Sequence, residues 1–485
     1  MPVEPARYID VLIVGAGISG IDAAYHLQTR CPAKTFRILE GRDRLGGTWD
    51  LFRYPGVRAD SDMYTLGFPF RPWTGANAIV DGRSILAYLG ETAATFGIDR
   101  KIDYGMHVER ARWKSNVARW TVDVRDTSGR LTQLSTSFLF LCCGYYDYDH
   151  GITPELPGHE RCRARIVHPQ HWPSDLDHTG KRIVVIGSGA TAVSLVPELA
   201  KRAAHVTMLQ RSPTYFISIP QRDRLANWTR DLLSARPAHT ITRWRNILLS
   251  TGFYAYCRRF PTHARRMLVD RVRRALPEGT DIAGHFTPSY QPWDQRLCLI
   301  PDGDLFETIR RGRASVVTDH FETFTETGVA LRSGNVLDAD LIVTATGLRL
   351  KNFGGIELEV DGVRIDVAKS MLYRDMMIAD VPNLAFADGY YTASWTLKCD
   401  LTSRYVCRLL DHMQRKGFAH CRPRRDPSVE ERPLIDLAAG YVQRASDELP
   451  RQGATGPWRA HQNHLVDLLA IQSDRFRAPA LEFVR

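Results

Sequence analysis

Two glycine-rich turns constrain this chain more than any other feature in it. The first is Gly15-Ala16-Gly17-Ile18-Ser19-Gly20, preceded by the apolar run "YIDVLIV" (Tyr8–Val14) and followed by the helical pattern "IDAAYHLQTR". A short apolar run of that kind is what a buried parallel strand gives. A further strand, "FRILE", ends at Glu40, about twenty positions past the last glycine, where a dinucleotide fold carries an acid. Gly15 permits the tight turn, Gly17 lets backbone approach a pyrophosphate, and Gly20 lets helix pack on strand. The start of the helix then faces the phosphates, and Glu40 can accept hydrogen bonds from a ribose diol. A lone GxGxxG is a weak signal, but strand, helix and acid in register make a specific one.

The second copy runs from the strand Ile183–Ile186 through Gly187-Ser188-Gly189-Ala190-Thr191-Ala192. The helix "VSLVPELAKR", opening at Val193, and the strand "HVTMLQ" follow. That strand ends in Gln210-Arg211-Ser212 with no carboxylate at its tip. A carboxylate would repel a 2′-phosphate, whereas Arg211 can pair with it and Ser212 can donate to it. For Arg211 the plainer alternative, a solvated surface arginine, stays open. The first site is therefore expected to take an unphosphorylated adenosine ribose and the second NADP. Two dinucleotide folds in one chain imply electron transfer between two cofactors, with NADPH supplying hydride and FAD accepting it.

The strand pattern "DADLIVTATG" (Asp338–Gly347) reads as a return to the first fold, and "FLFLCCGYY" marks the outgoing junction. The expected class is α/β, two nested Rossmann-like dinucleotide-binding domains with a helical insertion. The expected FAD-binding parts are 1–150 and 351–440, and the expected NADP-binding parts are 151–220 and 291–350. A helical insertion is expected at 221–290 and a C-terminal tail, helical after a proline- and charge-rich start, at 441–485.

At 485 residues the chain is too long for one ordinary core. A net charge of +10 suits an anionic partner, whether phosphorylated cofactor, membrane surface or nucleic acid. A merely basic soluble enzyme satisfies it equally, and no nucleic-acid motif accompanies the charge. Nine scattered cysteines without a CxxC pair fit a reducing compartment better than a disulfide framework or a zinc site, so no metal is expected. Cys142 and Cys143 read as strand packing. The first strand begins by Ile9, leaving no room for a signal peptide, and no run of about 18 apolar residues occurs. A cytoplasmic location is expected. The arginine-rich segment from Gln221 to Ala283 shows apolar residues at helical spacing. It is read as a helical cap over the active site, with peripheral contact to an anionic membrane left open.

Several motifs in this order together resemble one family, the flavin-dependent Baeyer–Villiger monooxygenases, cousins of the flavin-containing monooxygenases. They are "GAGISG", Gly46-Gly47-Thr48-Trp49, Arg53-Tyr54-Pro55-Gly56 with Asp60, "HPQHWP", "GSGATA" and "TATG". "DSDMYTLGF", "WDQRLCLIPDGDLF" and "ASWTLK" are similar to its thioamide-activating branch. The likeness covers nearly the whole chain from about Asp10.

The resemblance implies that NADPH reduces FAD and that the reduced flavin captures O2 as a C4a-peroxide. That species converts ketones to esters or lactones, or, when protonated, oxygenates sulfides and thioamides. It implies Arg296 as the cation stabilising the peroxide and Asp60 as the carboxylate holding Arg296, with Asp62 two residues away as a confusable neighbour. For FAD it implies Gly15, Gly17, Ser19, Gly20, Glu40, Thr48, Trp49, Leu51, Asp60 and Val108. For NADP it implies Arg58, Asp60, Gly187 to Val193, Arg211 and Ser212. Trp49 equally fits a core position, and Arg296 a structural ion pair. The lysine that many relatives carry before the arginine is Gln295 here, which shifts the phosphate clamp toward Arg211. In the family fingerprint His168, Trp172 and Pro173 match, while Cys162 and Ala164 replace a phenylalanine and a glycine. The fingerprint implies a coupling element at the domain junction, against the alternative of a packed linker histidine. Ala164 is expected to stiffen that junction, and His171 to serve local packing. "NLAFADGYYTASWTLK" is expected to close the flavin site.

The alternatives are an N- or S-oxygenating flavin monooxygenase without Baeyer–Villiger activity, and a non-catalytic flavin-binding relative. A disulfide reductase is disfavoured because no redox cysteine pair follows the first turn.

Overall fold

The computed structural model describes residues 7–152, 156–435, 440, 444, 446–476 and 479–485. The expected start of the tail, at residue 441, lies outside the described residues. From the amino end, β1 (Arg7–Val14), α1 (Ile18–Arg30) and β2 (Phe36–Glu40) form the first turn-bearing unit. Then come β3 (Ile102–Tyr104), β4 (His107–Lys114), β5 (Arg119–Arg125) and β6 (Leu131–Leu141).

The chain then leaves through β7 (Tyr146–Gly151) for a second sheet. This uses β8 (Arg165–Val167), β9 (Arg182–Ile186), α2 (Ala190–Leu199) and β10 (His205–Gln210). A short parallel pair, β11 (Phe216–Ile219) with β12 (Cys298–Pro301), brackets the helices α3 (Arg224–Leu232), α4 (Ala235–Arg259) and α5 (Pro261–Ala275). The strands β13 (Ala314–Thr318) and β14 (Leu341–Thr344) complete the second sheet. β15 (Leu348–Leu350) leads back to β16 (Glu357–Val360), β17 (Val363–Arg364) and β18 (Leu384–Phe386). Two helices follow, α6 (Trp395–Lys416) and α7 (His464–Ser473).

The first sheet has nine strands in the order β17-β16-β4-β5-β6-β1-β2-β3, with β18 also on β6. The second has five strands in the order β13-β10-β9-β14-β8, all parallel. All of the second sheet comes from residues between β6 and β16, so one Rossmann-like fold is nested inside the other. Strand alternation explains why both sheets are covered on two faces. Val11 and Ile13 enter one buried cluster while Leu12 and Val14 enter another. Ile183 and Val185 divide from Val184 and Ile186 in the same way. The outgoing and returning linkers run side by side, since β7 pairs antiparallel with β15. No described helix is long and apolar enough to cross a membrane.

One sequence expectation needs correction. Cys142 packs in the core of the first sheet, its N–H donating to the carbonyl of Val14 at 2.7 Å. Cys143, by contrast, lies beyond β6, which ends at Leu141, and is only half-buried at the wall of the cavity described below. Burial pushes the Cys143 thiol up to about 12, so it stays protonated and is a poor nucleophile.

Candidate active site

A cavity of about 430 Å³ opens between the two folds. Gly15, Gly17 and Ser19 of the first turn line it, together with Glu40, Thr48, Trp49, Arg58, Asp60 and Val108. From the second fold come Ala190 and Thr191, and Arg296 enters just ahead of β12. Gly15 and Gly187 both adopt positive φ, +104° and +135°, and a Cβ on either would collide with a carbonyl oxygen, of Cys142 or Ala345. Only glycine fits these two positions comfortably. The middle glycines differ from these. A Cβ on Gly189 would meet nothing, and one on Gly17 only the Cα of Gly47 at 3.7 Å. Both turns thus keep an open cradle above a helix start, which fits a pyrophosphate at each.

At the tip of β2 the Glu40 carboxylate accepts from the backbone N–H of Ala16 (2.7 Å) and of Arg42 (3.0 Å). Burial raises its pKa above the ordinary carboxylate value, and those two N–H groups work against the rise. Glu40 lines the cavity, and each of its oxygens has acceptor capacity left for a ribose diol. At the tip of β10, Gln210 instead donates to the carbonyl of His285 (2.7 Å) and to Thr318 Oγ1 (2.8 Å). Its amide is turned inward, leaving Arg211 and Ser212 as the exposed side chains there. Neither residue lines the cavity. Ala192 and Val193 are buried in the core of the second fold, as α2 requires.

Arg296 Nη2 lies 2.9 Å from Asp60 Oδ2 at the cavity wall, and both side chains are partly exposed. Asp62 does different work: it caps the short helix Met63–Leu66, accepting from Thr65 N (3.0 Å) and Thr65 Oγ1 (2.8 Å). Arg58 lines the cavity while paired with Asp304. Leu51 is turned away and packs against the core of the second fold, and Phe52 and Tyr54 line the cavity in its stead. Gly20 is also outside the wall and is packed on Gly15, whose carbonyl oxygen a Cβ there would strike. A bulge in the β4–β5 pairing between Val108 and Arg110 presents Val108 to the cavity.

Several contacts escape a reading by motif. Trp395 Nε1 donates to Ser19 Oγ at 2.8 Å, joining the start of α6 to the first glycine turn. Tyr390 and Ala393 also line the cavity, and Tyr390 donates to Asp467 of α7 at 2.8 Å. Tyr145, Tyr146 and Tyr148 of the outgoing linker line it too, with the Tyr148 hydroxyl 3.3 Å from Thr48 Oγ1. Behind them Gln170 is buried, and its Nε2 donates to the carbonyls of Asp147 (2.9 Å) and Tyr148 (3.0 Å).

His168 caps the turn Pro169–His171, its Nδ1 accepting from Gln170 N at 3.2 Å. Its ring lies against Gly151 of β7, where any Cβ would strike it. Burial lowers its pKa, so it is neutral at neutral pH. Neither His168 nor Trp172 lines the cavity, and Trp172 packs on the core of the second fold. His171 is exposed, and its Nε2 is 3.1 Å from the carbonyl of Asp149.

The flavin-binding monooxygenase-like family matches residues 66–248, and the NAD(P)-binding Rossmann-like domain matches residues 13–81. The FAD-containing monooxygenase EthA of Mycobacterium tuberculosis is 52% identical over 481 residues, covering 99% of this chain and 98% of that protein. The chain belongs to the FAD-containing monooxygenase family. Among solved structures, oxidized steroid monooxygenase bound to NADP aligns with a TM-score of 0.76 at 23% identity, covering 99% of this chain and 100% of the other. Cyclohexanone monooxygenase in its open crystal form gives 0.76 at 19% identity with the same coverage. At those identities the likeness is one of fold.

Proposed function

We propose that the chain is an FAD- and NADPH-dependent monooxygenase of the Baeyer–Villiger type, inserting one oxygen atom of O2 into ketones and oxygenating sulfides or thioamides. The observation that carries this reading is the Arg296–Asp60 pair at the wall of a cavity that both nucleotide folds share. FAD held by the first turn, reduced by NADPH held by the second, would supply activated oxygen and electrons. The chain's own residues supply the rest. Gly15, Gly17 and the start of α1 cradle the FAD pyrophosphate, Glu40 takes the ribose, and Thr48, Trp49 and Val108 line the remaining wall. Gly187 to Thr191 would cradle the NADP pyrophosphate, with Ala192 and Val193 packing the start of α2 behind them, and Arg211 and Ser212 would select the 2′-phosphate.

Arg296 offers a permanent positive charge and several donors where negative charge develops on the oxygen being transferred. Asp60 orients it without neutralising the whole guanidinium. Gln170 and His168, packed on the outgoing linker, position that linker and its cavity-lining tyrosines. Neutral His168 is no proton donor here. Nine free thiols, most of them buried, fit a reducing cytoplasm. The domain division stated from the sequence accompanies this reading.

The test is Arg296→Ala in the flavin-loaded enzyme. Flavin bleaching by NADPH should persist while ester and sulfoxide formation are lost. Normal ester yield would refute the assignment. Assaying a simple ketone beside a sulfide separates this reading from an N- or S-oxygenase without Baeyer–Villiger activity.

A further inference from the structure

The helical segment between the two halves of the second fold carries a feature that catalysis does not use. Helix α4 spans 25 residues, about 37 Å of helix at 1.5 Å per residue. Its outward stripe reads Pro237, Ile241, Trp244, Leu248, Gly252 and Ala255, all at three- or four-residue spacing, with no charge among them. Ile241, Trp244, Leu248 and Leu249 are exposed, Leu249 to 64%. Helix α3 repeats the pattern with exposed Leu225, Trp228 and Leu232, at positions i, i+3 and i+7. The two helices are tied together, because Asp223, the cap of α3, pairs with Arg245 of α4. Beside α4, the Trp244 and His464 rings lie 6.2 Å apart, and α7 adds exposed Val466 and Leu469.

Surface helices of soluble monomers turn such stripes inward. Here the inward face is already satisfied. Ile247 of α4 packs with Tyr390 and Leu397, and Arg243 donates to the carbonyls of Tyr64 (2.7 Å) and Gly67 (2.8 Å).

The charge around the stripe selects its partner. From Asp223 to Arg259 there are seven arginines and two acids, Asp223 and Asp231. Arg243 is buried, Arg245 pairs with Asp223 and Arg258 with Asp294. Arg224 and Arg236 stand exposed at the N-terminal ends of the two stripes, and Arg259 at the far end of α4. A second copy docking on this face would bring arginine against arginine. An anionic lipid surface would not, and tryptophan and leucine between arginines is the composition of a helix lying in the interfacial plane. We propose that α3, α4 and the adjoining edge of α7 form a docking surface for an anionic phospholipid membrane. The protein lies on the bilayer and does not span it. Because Ile247 contacts Tyr390 of the cavity wall, the lipid surface would sit about one helix diameter, ~10 Å, from the cavity.

The test uses the flavin-loaded, full-length enzyme and the variant W228S/L248S/L249S. These residues are exposed and outside the active site, so thermal unfolding and activity on a water-soluble substrate should match the parent. Both proteins are floated with vesicles of phosphatidylcholine alone and of phosphatidylcholine with phosphatidylglycerol. The parent should float with the anionic vesicles, far less with the neutral ones, and show blue-shifted tryptophan emission. The variant should partition about tenfold less or weaker still. Failure of the parent to float with anionic vesicles, or flotation of the variant equal to the parent, would overturn the proposal. So would a parent that self-associates by light scattering, without floating, and becomes monomeric in the variant; that outcome assigns the face to a second copy.

Discussion

The two glycine turns solve the same steric problem to different tolerances. In the first, Gly20 is pressed against the carbonyl of Gly15, leaving no room for a methyl group. In the second, the matching position is Ala192, fully buried in the first turn of α2. The strand tips differ as well. Glu40 is held by two backbone N–H groups with lone pairs to spare, while Gln210 is turned inward and hands the tip to Arg211 and Ser212. One pocket is built to accept hydrogen bonds, the other to receive charge. The lesson is that the motif fixes the path of the backbone, and that the residues just beyond each strand choose the cofactor.

The largest effect expected from this contrast lies where the two pockets meet. Arg296→Ala should lower oxygenation by about 10²–10³-fold, the scale of losing a preorganised charge, with flavin reduction by NADPH little changed. Parallel loss of both half-reactions would mean that the arginine is structural. The next comparison sets Gly20→Ala beside Ala192→Gly. The first should cost about 1–3 kcal/mol through overpacking and strip the flavin, read as lost colour and lowered unfolding midpoint. The second should cost about 1 kcal/mol and leave flavin bound. Equal effects would erase the claimed difference between the turns. Arg211→Ala should raise KM for NADPH by about tenfold to a hundredfold and leave NADH unaffected. A matching rise for NADH would place the arginine outside the phosphate site. Smallest is Gln170→Ala, which removes the side-chain donor to the carbonyls of Asp147 and Tyr148 in the outgoing linker. It should cost about 1–2 kcal/mol of stability and divert more NADPH to hydrogen peroxide. Unchanged coupling with lowered stability would make Gln170 a purely structural clamp.

What could be read in the sequence followed the range of the interaction. The strand β2 ends at Glu40 and β10 at Gln210, as the apolar runs indicate, because turn chemistry and strand burial are set within a few residues. Asp60, the carboxylate assigned by motif, pairs with Arg296, and its near neighbour Asp62 is engaged as a helix cap. The Trp395–Ser19 bond joins residues 376 positions apart, and no local pattern announces it. Cys143 reads as a strand residue because apolarity alone does not say at which residue β6 ends. Leu51 shares its motif with Trp49 yet packs against the neighbouring core. Short-range chemistry was legible, and side-chain direction at the junction was not.

The central claim is that electrons from the phosphorylated nicotinamide carrier end on dioxygen in a pocket governed by Arg296. The most direct measurement feeds the flavin-loaded enzyme a simple ketone, NADPH and heavy-oxygen-labelled dioxygen. Mass spectrometry of the ester should find one labelled atom for each NADPH consumed. Label-free ester, or NADPH consumption that yields only hydrogen peroxide with every ketone, sulfide and thioamide supplied, would contradict the account.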